Sequence, residues 1–163
     1  MSQARVVEKQ GLIKKILVAL DGSKPADKAL DFALDLGAKY SANIVLLSVV
    51  SPVIVPLGTY PATSVPTIPP LAMDTYSDEL KTSHEKVLSE ALKKAKKIKP
   101  NLEVSTKLVE GRPADKIVET AKEGNFDIIV VGSRGLGSIK KFFLGSVSDR
   151  VADEAECPVL IVK

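Results

Sequence analysis

The sequence has no tryptophan, one cysteine and one histidine, and aromatic residues make up only 4% of its 163 positions. A lone cysteine excludes an intramolecular disulfide framework, and with a lone histidine it cannot complete a zinc cage. A reducing cytoplasm is the expected setting. No apolar run approaches the ~20 residues that span a bilayer, and residues 1–10 lack the apolar segment of a secretory signal, so no membrane role is expected. A net charge of +3 is too small for the basic face of a nucleic-acid binder, and the aromatics that would stack on bases are scarce, so no nucleic-acid partner is expected. What is present is ordinary for a globular chain: 45% hydrophobic and 26% charged residues. The core must be built from Val, Ile, Leu and Ala. The length favours one domain with a closed core, read here as 12–163 behind a loose tail at 1–11.

Short β-branched runs alternate with longer helical patterns, as in a parallel sheet covered on both faces. Ile13 to Leu20 reads as a first strand, and Ser23 as the N-cap of a helix with Pro25 in its first turn. Asn43 to Val50 is a second buried strand. Six of the ten prolines then fall between Pro52 and Pro70. Proline removes backbone donors, so residues 52–70 read as a loop. Ala72 to Lys99 reads as one long helix with Tyr76, Leu80, Val87, Leu88, Ala91, Leu92 and Ala95 on its apolar face. Its terminal lysines, 93, 94, 96, 97 and 99, are expected to be solvated beside the negative end of the helix dipole. Further strands are expected over 103–109, 127–131 and 158–162, with helices over about 113–122 and 147–154.

Five parallel strands with four connections predict a three-layer α/β/α fold, a doubly wound sheet of order 3-2-1-4-5. Strands 1 and 4 are then neighbours whose connections leave in opposite directions, and open α/β sheets place ligands at that switch point. Two segments converge there: Asp21-Gly22-Ser23 and the glycine-rich run after the fourth strand.

That run reads VGSRGLGSIKKFFLGSVSDRV from Val131. Gly132, at a strand end, leaves room for a ligand to approach the backbone. Gly135 and Gly137 allow positive φ and an inward-facing nest of amides. Ser146 can cap a following helix, whose free amides at Val147 and Ser148 would face a phosphate with the dipole behind them. Other glycine motifs do not fit. The NTPase phosphate loop needs Lys then Ser or Thr after its second glycine, where this chain has Ser138-Ile139; the dinucleotide fingerprint from Gly135 needs glycine at 140, which is lysine.

The spacing Gly132-x2-Gly135-x9-Gly145-Ser146 resembles the ATP-binding signature of the universal stress protein family. KKILVALDGS near the start, GRPADKIV at 111–118 and CPVLIV near the end are similar to family segments. The resemblance implies an adenine nucleotide alpha hydrolase-like fold, and a stress-response or regulatory module that binds ATP, with AMP or ADP as the other candidate nucleotides. It implies main chain at Ala19 and Val49 around adenine and ribose, Asp21 at the nucleoside or on a divalent ion bridging the phosphates, and Val131 against the base. Gly132, Ser133, Arg134, Gly135, Leu136, Gly137 and Ser138 would wrap ribose and phosphates. Gly145, Ser146, Val147 and Ser148 would hold the phosphate tail. Magnesium would be bound only through the phosphates, with no protein metal site.

Simpler roles stand beside these. Asp21 can serve as an Asx-turn residue, Gly132 and Gly135 as packing positions, and Arg134 as a solvated cation. Lys140 and Lys141 read as solvated, and Phe142, Phe143 and Leu144 as an apolar plug. His84 has no evident partner, and Cys157 reads as a small hydrophobe. The apolar terminal strand would be an open edge; the expected cover is a second copy, a homodimer that the resemblance also implies. Catalysis as a slow ATPase or phosphotransferase is the alternative reading. It needs a positioned base and metal-binding carboxylates, and only Asp21, Arg134 and Asp149 offer themselves. A flavin carrier would place its phosphate loop after the first strand.

Overall fold

The computed structural model describes residues 12–52, 70–136 and 144–163. In chain order they form β1 (Lys15–Ala19), α1 (Lys24–Tyr40), β2 (Asn43–Val50), α2 (Pro70–Ile98), β3 (Val104–Glu110), α3 (Pro113–Glu123), β4 (Ile128–Gly132), α4 (Ser146–Glu154) and β5 (Val159–Val162). The strands make one parallel sheet of order β3-β2-β1-β4-β5, the order expected from the sequence.

Local chemistry sets these limits. Ser23 caps α1, its hydroxyl accepting from the Ala26 amide, with Pro25 in the first turn where a missing N–H costs nothing. The helix stops where Ser41 turns left-handed (φ 54°) and the chain drops into β2. Strand β1 is shorter than its apolar run because Leu20 already bends toward the loop, although its amide still bonds the Leu47 carbonyl at 2.8 Å. At the other end Asp127 accepts from the amides of Lys14 and Lys15, which locks the start of β1 against β4.

Pleating sends alternate residues of each strand to opposite faces. Ile16, Val18, Leu20, Ile44, Leu46 and Val130 pack under α1 and α2; Leu17, Leu47, Val49, Ile129 and Val131 pack under α3 and α4. The chain therefore leaves β1 toward one face and β4 toward the other, which opens a crevice at their carboxyl ends.

Three expectations change. Pro70 begins α2 instead of closing the loop, as a first-turn proline can; residues 53–69 of the proline-rich segment lie outside the described residues. Tyr76 is exposed; among the residues of α2 with described burial, the buried ones come later, at Leu88, Ala91 and Ala95. Not all of the terminal lysines are free in solvent. Lys94 bridges Asp27 and Asp31 of α1 at 2.8 and 2.7 Å, and Lys99 reaches Asp35 at 3.1 Å. Three acids spaced one turn apart on α1 thus face the basic end of α2.

Candidate functional site

A cleft of about 310 Å³ opens at the switch point, within the range of small-ligand sites. Its inner end is apolar, formed by Ala19, Val49 and Val131 from the sheet with Ile117 of α3. Its outer end is formed by Gly132, Arg134, Gly135, Leu136, Gly145, Ser146, Val147 and Ser148, with Asp21 at the side. All twelve of the sequence-nominated residues in these two sets line one cavity. Leu20, Ala26, Leu47, Pro113 and Ile117 line it as well, though the motif did not single them out.

Three nominated residues are not among these twelve. Gly137 and Ser138 lie outside the described residues, as do Lys140, Lys141, Phe142 and Phe143. Ser133 is buried beneath the loop, not in the cleft. Its amide bonds the Val162 carbonyl, and its own carbonyl accepts from the Gly145 amide at 2.8 Å and the Ser148 hydroxyl at 3.0 Å. These bonds staple the start of α4 to the end of β4, so Gly132 and Gly145 of the motif are held near each other. Leu144 is partly exposed and is not a buried plug.

For Gly132 and Gly135 the packing role offered beside the ligand role is the one the geometry supports. A Cβ on Gly132 would lie 2.7 Å from the Ala26 nitrogen and the Pro25 carbonyl carbon, so β4 needs glycine to let α1 approach. Gly135 has no positive φ; a Cβ there would meet Asp21 Oδ2 at 2.6 Å. Among the described glycines, positive φ falls at Gly22 (82°), in the turn after β1, and at Gly111 (143°), outside the motif.

Asp21 uses both carboxylate oxygens. Oδ1 accepts from the Ser23 amide at 2.9 Å, the Asx turn, and Oδ2 accepts from the Leu136 amide at 3.1 Å. The residue therefore makes the Asx turn and at the same time joins the β1 loop to the glycine loop. Ser23 adds a second tie, its hydroxyl donating to the Arg134 carbonyl at 3.3 Å.

The start of α4 corrects another expectation. Gly145, not Ser146, is the N-cap, and it has no side chain to accept from the first turn. The amides of Ser146, Val147 and Ser148 thus open α4 without a side-chain cap, at the positive end of the helix dipole and on the cleft wall. Ser148 directs its hydroxyl to carbonyls of Ser133 and Gly145, which leaves its main chain for a ligand. An adenine nucleotide fits this set: an apolar floor for a base at one end and uncapped amides for an anion at the other. Among the described residues no three metal-ligating side chains gather.

His84, on α2, has a partner after all. Its Nδ1 lies 2.7 Å from the hydroxyl of fully buried Ser48, and that hydroxyl donates to the Leu20 carbonyl at 2.8 Å. Burial pushes the imidazole below its ordinary value, more strongly than the charge of Asp21 draws it up. Folding therefore favours the neutral ring. That stabilisation is complete above the free-imidazole value of about 6.5 and is lost as pH falls through the lower folded value. Thermal melts from pH 7.5 to 5 should fall more steeply for the natural chain than for His84→Asn; parallel curves would contradict this. Cys157 is half-buried, and its thiol is raised by burial, in keeping with a packing role.

A doubly wound sheet with a glycine-lined cleft at its switch point, walled by an uncapped helix start, defines the class of α/β protein. The chain belongs to the universal stress protein family: the model of the Universal stress protein family matches residues 12–163. Universal stress protein YxiE of Bacillus subtilis is similar, 37% identical over 93% of this chain and 100% of its own length. The solved universal stress protein UspA from Lactobacillus plantarum shares the fold with a TM-score of 0.74 at 24% identity, covering 93% of this chain and 98% of that one. A universal stress protein solved in complex with cAMP is 28% identical with a TM-score of 0.69, covering 94% of this chain and 99% of its own.

Proposed function

We propose that this chain binds an adenine nucleotide, ATP in the first instance, in the cleft between β1 and β4, and that it acts as a regulatory module of the stress response. The observation that carries the reading is the start of α4. Three successive amides follow a glycine cap, and they face a cavity whose far end is apolar. Adenine would lie among Ala19, Val49 and Val131, and the phosphates would run past Gly132 and Gly135 to Ser146–Ser148. Such amides bind anions without a cationic side chain, because the helix dipole and the main-chain donors act together. That a similar universal stress protein was solved in complex with cAMP supports an adenine ligand here. Asp21, with both oxygens on amides, serves to hold the loops in place, which favours binding over turnover.

The described chain leaves one side of β5 without a strand neighbour. Pairing of two copies along that edge is the proposed assembly.

Calorimetry with adenosine, AMP, ATP and cAMP, with and without magnesium, tests the site. ATP should bind at least about tenfold more tightly than adenosine, or about 1.4 kcal/mol, and chromatography of material released from denatured protein should show an adenine nucleotide. Equal affinity for adenosine and ATP would remove the phosphate half of the assignment. Binding of none of the four would remove it entirely.

A further inference from the structure

We propose that His84 is a positioning residue for the cleft, acting through Ser48 on the Leu20 carbonyl and so on the pose of Asp21. The consequence for ligand affinity rests on the nucleotide reading above; the relay itself is a matter of hydrogen bonds. Ser48 stands in the middle of β2 with no exposed surface, among Leu46, Leu47 and Val49. A hydroxyl there is costly unless it is bonded, and an alanine would pack in its place at little loss. The hydroxyl has one proton, and it goes to the Leu20 carbonyl at 2.8 Å. The 2.7 Å contact with His84 Nδ1 then requires the imidazole to donate, which fixes the Nδ1–H tautomer.

The carbonyl held in this way belongs to the residue just before Asp21. Asp21 in turn carries the Ser23 amide on one oxygen and the Leu136 amide of the glycine loop on the other. A second contact from the same helix face supports the same turn. Val87, one turn after His84, comes within 3.1 Å of where a Cβ of Gly22 would stand, at the one glycine of this turn with positive φ. Helix α2 therefore holds the Asp21 turn at two points, one polar and one apolar. The polar one is directional, and direction is what an apolar contact cannot supply. Through it, the placement of α2 sets how Asp21 meets the Leu136 amide. Ser48 is too deeply buried to act as a nucleophile, so its pairing with histidine has no catalytic sense.

The test uses the full chain and the variants Ser48→Ala, His84→Ala and His84→Asn. An asparagine amide can place an N–H where Nδ1 donates, so His84→Asn is the conservative rescue. AMP and ATP affinities are measured by calorimetry, thermal stability by melting, and main-chain amides by NMR. The chain has a single histidine, so its ring signals identify themselves. The expected result is a protonated Nδ1 in the neutral ring, and displaced amide signals at Asp21, Ser23 and Leu136 in Ser48→Ala and His84→Ala. ATP affinity should fall three- to tenfold in both and return to within twofold in His84→Asn. Amide signals at those three positions unmoved in both variants, or a neutral ring protonated on Nε2, would overturn the relay. Natural chain and both variants binding ATP alike would overturn its effect on the ligand. Failure of the natural chain to bind either nucleotide would sink the nucleotide reading alone, since the ring and amide signals still judge the relay.

Discussion

Gly132→Ala is expected to lower the melting temperature by roughly 2–12 °C, from about 1–3 kcal/mol of overpacking at about 2–4 °C per kcal/mol in a chain of this size. The added methyl would meet two main-chain atoms, the Ala26 nitrogen and the Pro25 carbonyl carbon, each at 2.7 Å. A side chain can rotate out of such a contact; the first turn of a helix cannot. Helix α1 would have to lift from β4, and its first turn holds the Ser23 cap and the Ser23–Arg134 tie. Ligand affinity should fall along with stability, so a substitution at 132 reports on packing before it reports on the cleft. Differential scanning calorimetry decides the matter. A midpoint within a degree of the natural chain would mean that α1 and β4 have slack that the geometry denies.

The same position shows where sequence reading reaches its limit. The strand order and β2 were legible because a parallel sheet buried on both faces writes itself as unbroken apolar runs, and NIVLLSVV is short and rich in β-branched residues. The long helix was legible as a helix but not as to where it buries. Periodicity assigns Tyr76 and Leu88 to the same stripe, and only the sheet beneath decides that Leu88 is covered while Tyr76 is exposed. The ion pairs of Lys94 and Lys99 were likewise invisible, because their acids lie on α1, more than 60 residues away.

In the site, the glycine spacing pointed to residues that line one cleft, and two of its glycines meet neighbours of the fold itself. A glycine reads alike whether a ligand, a helix backbone or a carboxylate comes close to it. Here Gly132 admits α1 and Gly135 admits Asp21. Leu20, Ala26, Leu47, Pro113 and Ile117 were passed over because apolar lining has the same composition as core. Pro113 and Ile117 did carry a signal, since they fall in the GRPADKIV segment already singled out as family-like. His84 and Ser48 carried none: they stand 36 positions apart on elements with different periods, and only the fold makes them neighbours.

The largest effect on ligand affinity is expected from Val147→Asp. Val147 lies in the first turn of α4, on the cleft wall, and is 36% exposed, so an aspartate fits without displacing core. Two consequences should part company. A carboxylate in a first turn complements the helix dipole by about 0.3–1 kcal/mol, so the melting temperature should hold or rise. The same charge would stand beside the amides proposed to receive phosphate. Two unit charges about 5 Å apart at an effective dielectric near 20 repel by about 3 kcal/mol. ATP affinity should therefore fall by about 100-fold, while adenosine, which has no charge to repel, should bind nearly as before. Val147→Asn provides the control, with the same shape and no charge, and should retain ATP. Calorimetry on the three proteins separates the cases. If Val147→Asp melts no lower than the natural chain and still binds ATP as tightly, the phosphates do not run to α4, and the amides of its first turn serve only the helix.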